Sequence, residues 1–210
     1  MVPIGDINML RDAISQRYAD YDEISFGILI ADAQQSEARE YILNYIDIFH
    51  AQSGQLFDFF LPGYSKYPTY YGDDIKCRNI IIDKTSYHFS RILFIDFCQQ
   101  INKMFGIKYT YNPMLILMSM RPGHLETAKY IIIELDDNDQ HSIRRSGMLF
   151  TRIFDIVRAD PSIQNIRNGL IITTLNGNWL DAFINSIDVG CLSEIHRRGA
   201  EIRRFRINHM

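Results

Sequence analysis

Apolar residues along this chain fall into runs and stripes that alternate between two periods. Ile7, Leu10, Ile14 and Tyr18 recur at steps of three and four, which predicts a helix over about 6–20 with Asp6 as its N-cap. Ile24 to Ala31 (ISFGILIA) is a short continuous apolar run rich in β-formers and predicts a buried strand. Ser36 is a candidate cap for a second helix running to about Gln52. Ala38, Tyr41, Ile42, Tyr45 and Phe49 form its stripe, and Gly54 is its stop. Leu56 to Phe60 and Asn79 to Asp83 predict further strands. A turn-rich tyrosine loop with Pro62-Gly63 lies between them.

A long helix is expected from about Ser86 to Phe105, ended by Gly106. Its two stripes, Phe94-Cys98-Ile101-Phe105 and Phe89-Leu93-Phe97-Met104, make a face wide enough to pack on two sides. Two strands follow, Asn112 to Met118 and Tyr130 to Asp136, with Arg121-Pro-Gly123 as a turn. Ser142 to Arg158 predicts another helix. Leu170 to Leu175 reads as a last strand, and Asn178 caps a helix through Trp179, Phe183 and Ile187. Asp160-Pro161 is the weakest point of the chain. It divides a core of residues 1–160 from a mostly helical extension, 161–210, packed on that core.

In coarse form the order from Ile24 is β-α-β-(β)-α-β-β-α, and Asn112-Pro113 opens the third main strand. This order resembles the thioredoxin-like fold, a three-layer α/β sandwich around a mixed sheet. In that family a proline, typically cis, starts the strand facing the N-terminus of the first helix. The resemblance covers roughly Glu23 to Ala159, and Pro113 is its motif-level support. It implies a catalytic cysteine at the start of the first helix. Here the corresponding loop is Asp32-Ala-Gln-Gln-Ser36, without a thiol, so a degenerate, non-redox version of the fold is expected. Cys98 sits mid-helix on an apolar stripe and is expected to be inert, whereas Cys77 follows a polar loop.

Composition narrows the function classes. Hydrophobic residues make up 47% and charged residues 22% of the chain, an ordinary globular balance. The net charge of −3 gives no global footprint for nucleic acid. No apolar run approaches the roughly 18–20 residues of a membrane span. The N-terminus lacks the basic and apolar regions of a signal peptide, and three scattered cysteines fit a reducing cytoplasm. No zinc spacing, P-loop, dinucleotide fingerprint or hydrolase elbow occurs, so no cofactor is implied.

Several candidate surfaces remain. One sheet edge would gather Gln34, Gln35, Ser36, Asn112 and Pro113 as a binding place. Asp32, Glu134 and Asp136 are candidate ligands for a divalent cation in a metal-dependent phosphoesterase or nuclease. The spacing does not match an EF-hand, and Asp136 stands where a D…ExK nuclease needs lysine. Tyr64, Tyr67 and Tyr70 suit partner recognition, or else they cover a core of Phe57, Phe59 and Phe60. Arg197, Arg198, Arg203, Arg204 and Arg206 make the tail basic and a candidate nucleic-acid contact. The leading expectation is a non-catalytic interaction or regulatory module that binds a protein partner or a second copy of itself.

Overall fold

A computed structural model describes residues 1–53, 57–67, 79–121, 124, 128–135, 143–176 and 187–191. The chain is a mixed α/β protein. Its elements are β1 (Val2–Ile4), α1 (Ile7–Arg17), β2 (Ile24–Ile30), α2 (Ser36–Tyr41), α3 (Ile46–Ser53), β3 (Phe59–Pro62), β4 (Tyr64–Ser65), β5 (Asn79–Ile82), β6 (Thr85–Phe89), α4 (Arg91–Phe105), β7 (Met114–Met120), β8 (Lys129–Glu134), α5 (Ser146–Ala159), α6 (Ile163–Asn176) and β9 (Ile187–Cys191). The main sheet runs β1-β3-β2-β7-β8-β9, and β4-β6-β5 form a small second sheet. β3 is parallel to β1 and β2; the β2–β7, β7–β8 and β8–β9 pairs are antiparallel.

Both faces of the main sheet are covered. Every residue of β7, and all of β2 but Ser25, is buried, which a sheet with one wet face does not permit. Phe59 points to one face, where its ring meets Phe150 of α5 at 5.9 Å and Phe154 at 5.5 Å. Phe49 of α3 stacks on Phe150 there at 4.5 Å. The neighbouring Phe60 must point the other way, and its ring packs edge-on against Phe26 at 5.6 Å. α1 and α4 pack together, and α4 reaches β3. α6 packs on α5, β7 and β8. Among the described residues no helix is long and apolar enough to cross a membrane.

Two of the expected caps are in place. Asp6 Oδ1 accepts from the amides of Asn8 at 2.8 Å and Met9 at 2.9 Å, starting α1. Gly106 ends α4 at φ +69°, the left-handed C′ position expected of it. Gly63 turns β3 into β4 at φ +84°, and a Cβ there would run into Phe94 and Phe89.

Four expectations are corrected. The helix predicted from Ser36 to Gln52 breaks at Ile42 (φ −125°, ψ −65°) into α2, a 3-10 turn over Leu43–Tyr45, and α3. The break buries Ile42 and Leu43 while leaving Tyr45 exposed, a different stripe from the one a straight helix would present. The long helix starts at Arg91 rather than Ser86, because Thr85–Phe89 pairs with β5 as a hairpin. Leu170 to Leu175 lies inside α6 and is no strand; Ile163, Ile166 and Leu170 are buried at helical spacing. Ile187, placed at a helix end, instead begins β9 on the free edge of β8. Gly54, Cys77, Asn178, Trp179 and Phe183 lie outside the described residues, as does the tail from Leu192.

Candidate functional site

The β2–α2 loop closes on itself through backbone groups. Asp32 Oδ1 accepts from Gln34 N at 2.8 Å, and Gln35 N donates to Asp32 O at 3.0 Å. Arg39 Nη1 donates to the carbonyls of Ala33 at 3.0 Å and Gln34 at 2.8 Å. Asp32 itself is buried, and a buried carboxylate needs a counter-charge. Arg91 supplies it, with Nε 3.4 Å from Asp32 Oδ2. Ser90 caps α4 by accepting from Leu93 N at 3.4 Å, which places Arg91 on the first turn beside Asp32.

Across from this loop stand Tyr109 and Tyr111, just before β7. Gln35 Nε2 donates to the Tyr111 carbonyl, and that bond fixes the amide: turned over, Gln35 would face oxygen with oxygen. Gln35 Oε1 is buried and has no hydrogen-bond partner. The Tyr109 hydroxyl also points to the Tyr111 carbonyl, at 3.4 Å. Tyr111 is thereby held at φ +69°, left-handed backbone that a bulky residue rarely adopts, and the residue is 66% exposed. The rings of Tyr64, Phe89, Phe94, Tyr109 and Tyr111 form a continuous series with centroid spacings of 5.1, 5.5, 5.3 and 5.5 Å.

Two ionisable groups behind this edge, Cys98 and Tyr109, are held in their neutral forms. Burial, with Asp32 adding to it, pushes the Cys98 thiol from its ordinary 9.0 up to about 12. Burial also raises the Tyr109 hydroxyl, and the Asp32 charge raises it further. Cys98 is therefore an inert buried thiol, as its place on the apolar stripe implied.

Gln34, Gln35, Ser36, Asn112 and Pro113 do come to one sheet edge. Gln35 bonds the residue just before Asn112, and Pro113 O accepts from Leu135 N at 2.7 Å where β8 ends. Ser36 donates to Glu37 at 2.8 Å and does not cap α2; Gln35 holds the cap position. The Asn112–Pro113 bond is trans where the resemblance implied a typically cis proline, which removes Pro113 as its motif-level support.

The other candidates separate. Glu134 pairs across to Met114 as Ile30 does from the other side, so Asp32 and Glu134 flank β7 at the same end of the sheet. Each carboxylate is already engaged, Asp32 by Arg91 and Glu134 by Thr110 Oγ1 at 2.7 Å. Asp136 lies outside the described residues. Among the described residues no three His, Cys, Asp or Glu side chains converge as metal ligands. Tyr64 is buried against Phe89 in the small sheet, Tyr67 is exposed, and Tyr70 lies outside the described residues. Phe57, Phe59 and Phe60 are core. Arg197, Arg198, Arg203, Arg204 and Arg206 also lie outside the described residues.

Sequence reasoning missed Arg91, Tyr109 and Tyr111. Two signals were present: a cation directly after the cap Ser90, and two tyrosines at alternate positions leading into Asn112-Pro113. Comparison with protein-family models, with curated proteins and with solved structures finds no match to this chain.

Proposed function

We propose that this chain is a non-catalytic protein-interaction module on a degenerate thioredoxin-like fold. The β-α-β-α-β-β-α order around a mixed sheet with helices on both faces supports the fold reading. The observation that carries the functional reading is Tyr111: an exposed aromatic ring held in left-handed backbone by Gln35 and Tyr109. Holding a tyrosine there costs on the order of 1–2 kcal/mol. A cost of that kind at an exposed ring is expected where the ring meets something.

The non-redox half of this reading is supported by Cys98. That cysteine is buried and its thiolate is disfavoured. Two measurements test the reading. Insulin reduction coupled to dithiothreitol is expected to show no turnover above background; turnover that disappears in Cys77→Ser would overturn the non-redox half. Light scattering after size exclusion, with affinity capture by wild type and Tyr111→Asn, tests the other half. A wild-type monomer that captures nothing more than the variant would overturn it.

A further inference from the structure

The end of the main sheet opposite the Tyr111 edge holds a cavity of about 420 Å³, the size of a small-molecule site. Its walls are Glu23, Ser119, Met120, Arg121, His124 and Lys129. Strand register brings these residues together. Ser119 lies opposite Lys129 of β8, and Met120 lies opposite Ile24, the residue after Glu23. Arg121 directly follows β7, and His124 N donates to the Arg121 carbonyl at 3.0 Å, closing a turn. Ser119 is buried, and its hydroxyl donates to Glu23 Oε1 at 2.6 Å. Glu23 is exposed, and its Oε2 holds no hydrogen bond or ion pair among the described residues. The side chains of Arg121 and Lys129 are also exposed and hold none.

An arginine and a lysine that line one cavity, with no carboxylate bonded to either, are a donor set for an oxyanion. Two cations match the roughly −1.5 to −2 charge of a phosphate monoester better than the single charge of a carboxylate. Glu23 decides what the rest of the ligand carries. Its charge disfavours a second anionic group, and Oε2 accepts from a hydroxyl. The cavity is larger than a phosphate group fills, which leaves room for a carbon skeleton bearing that hydroxyl. We propose that this cavity binds a small polyol phosphate, with its phosphate on Arg121 and Lys129 and a hydroxyl on Glu23. Ser119 is a positioning residue that orients the Glu23 carboxylate. The site is separate from the Tyr111 edge and does not rest on the interaction reading.

The test uses small probes and the full chain. Sorbitol 6-phosphate carries the phosphate and the hydroxyls; ethyl phosphate lacks the hydroxyls; sorbitol lacks the phosphate. In ¹H–¹⁵N spectra, sorbitol 6-phosphate at millimolar concentration is expected to shift the amides of Ser119, Arg121 and Lys129 saturably, whereas sorbitol leaves them in place. Its affinity should exceed that of ethyl phosphate by about tenfold. Arg121→Gln and Lys129→Gln, both at exposed positions, should each weaken both phosphates by about tenfold. Glu23→Ala should abolish the advantage of sorbitol 6-phosphate while ethyl phosphate binds as tightly as before or more so, a split that loss of structure does not produce. No saturable shift, ethyl phosphate binding wild type as tightly as sorbitol 6-phosphate, or affinity unchanged in both the arginine and the lysine variant would each overturn the proposal. A 5′-phosphorylated oligonucleotide that shifts the same amides at far lower concentration would also overturn it, by assigning the cavity to nucleic acid.

Discussion

Arg91 Nε stands 3.4 Å from Asp32 Oδ2, and the two side chains differ in exposure: 45% for the arginine, 2% for the aspartate. The buried member depends on the exposed one. Removing Arg91 leaves a carboxylate stranded in the interior, whereas removing Asp32 leaves a cation in contact with water. Arg91→Ala is expected to cost about 2–3 kcal/mol in urea unfolding, below the cost for a wholly buried pair because Arg91 is half in solvent. The double variant with Asp32→Ala should recover part of that loss. Equal and additive losses would show that the pair is not coupled.

Tyr111→Asn removes the ring and places a residue that tolerates left-handed backbone at φ +69°. Stability should stay level or rise by up to about 1 kcal/mol, because relief of backbone strain offsets the lost contact with Tyr109. A clear loss of stability would mean that the ring serves the fold rather than a partner.

Cys98 gives a prediction in pH. Its folded-state thiol titrates near 12 and its ordinary value is 9.0, so between those values the unfolded chain loses a proton that the folded chain keeps. This contribution to stability is complete below about pH 9 and is lost as pH rises above it. Stability should therefore fall more steeply above pH 9 in wild type than in Cys98→Ala. Peptide mapping after alkylation at mildly alkaline pH should find Cys98 unmodified in the native protein and modified after unfolding.

Gly27 in β2 faces Phe59, and a Cβ there would lie closer to the Phe59 ring than any side-chain carbon tolerates. That ring is wedged between Phe150 and Phe154, so it has no room to yield. Gly27→Ala is expected to destabilise by about 1–3 kcal/mol, measured as a shift in denaturation midpoint at constant slope.

How much of this was legible depends on how local the signal was. Asp6 and Gly106 act on their own helices and could be read directly. The β5–β6 hairpin could not, because its turn residues Asp83 and Lys84 take positive φ without the glycine that marks such turns. The break at Ile42 carries neither glycine nor proline. In α6 the β-branched run at Ile171 to Thr174 suggested a strand, yet burial of Ile163, Ile166 and Leu170 against the core overrode that propensity. The Asp32, Gln35 and Pro113 neighbourhood followed from element order alone. Its chemistry did not, because Asp32 meets Arg91 and Gln35 meets Tyr111 only after the chain has folded back across the sheet.

The Tyr111 edge is proposed above as the place where a partner protein docks. Site-specific photo-crosslinking addresses it most directly, with a benzophenone side chain at Tyr111 and, as control, at exposed Tyr21. The expected result is a discrete crosslinked protein from position 111, absent from position 21. Adducts no different between the two positions would contradict the account.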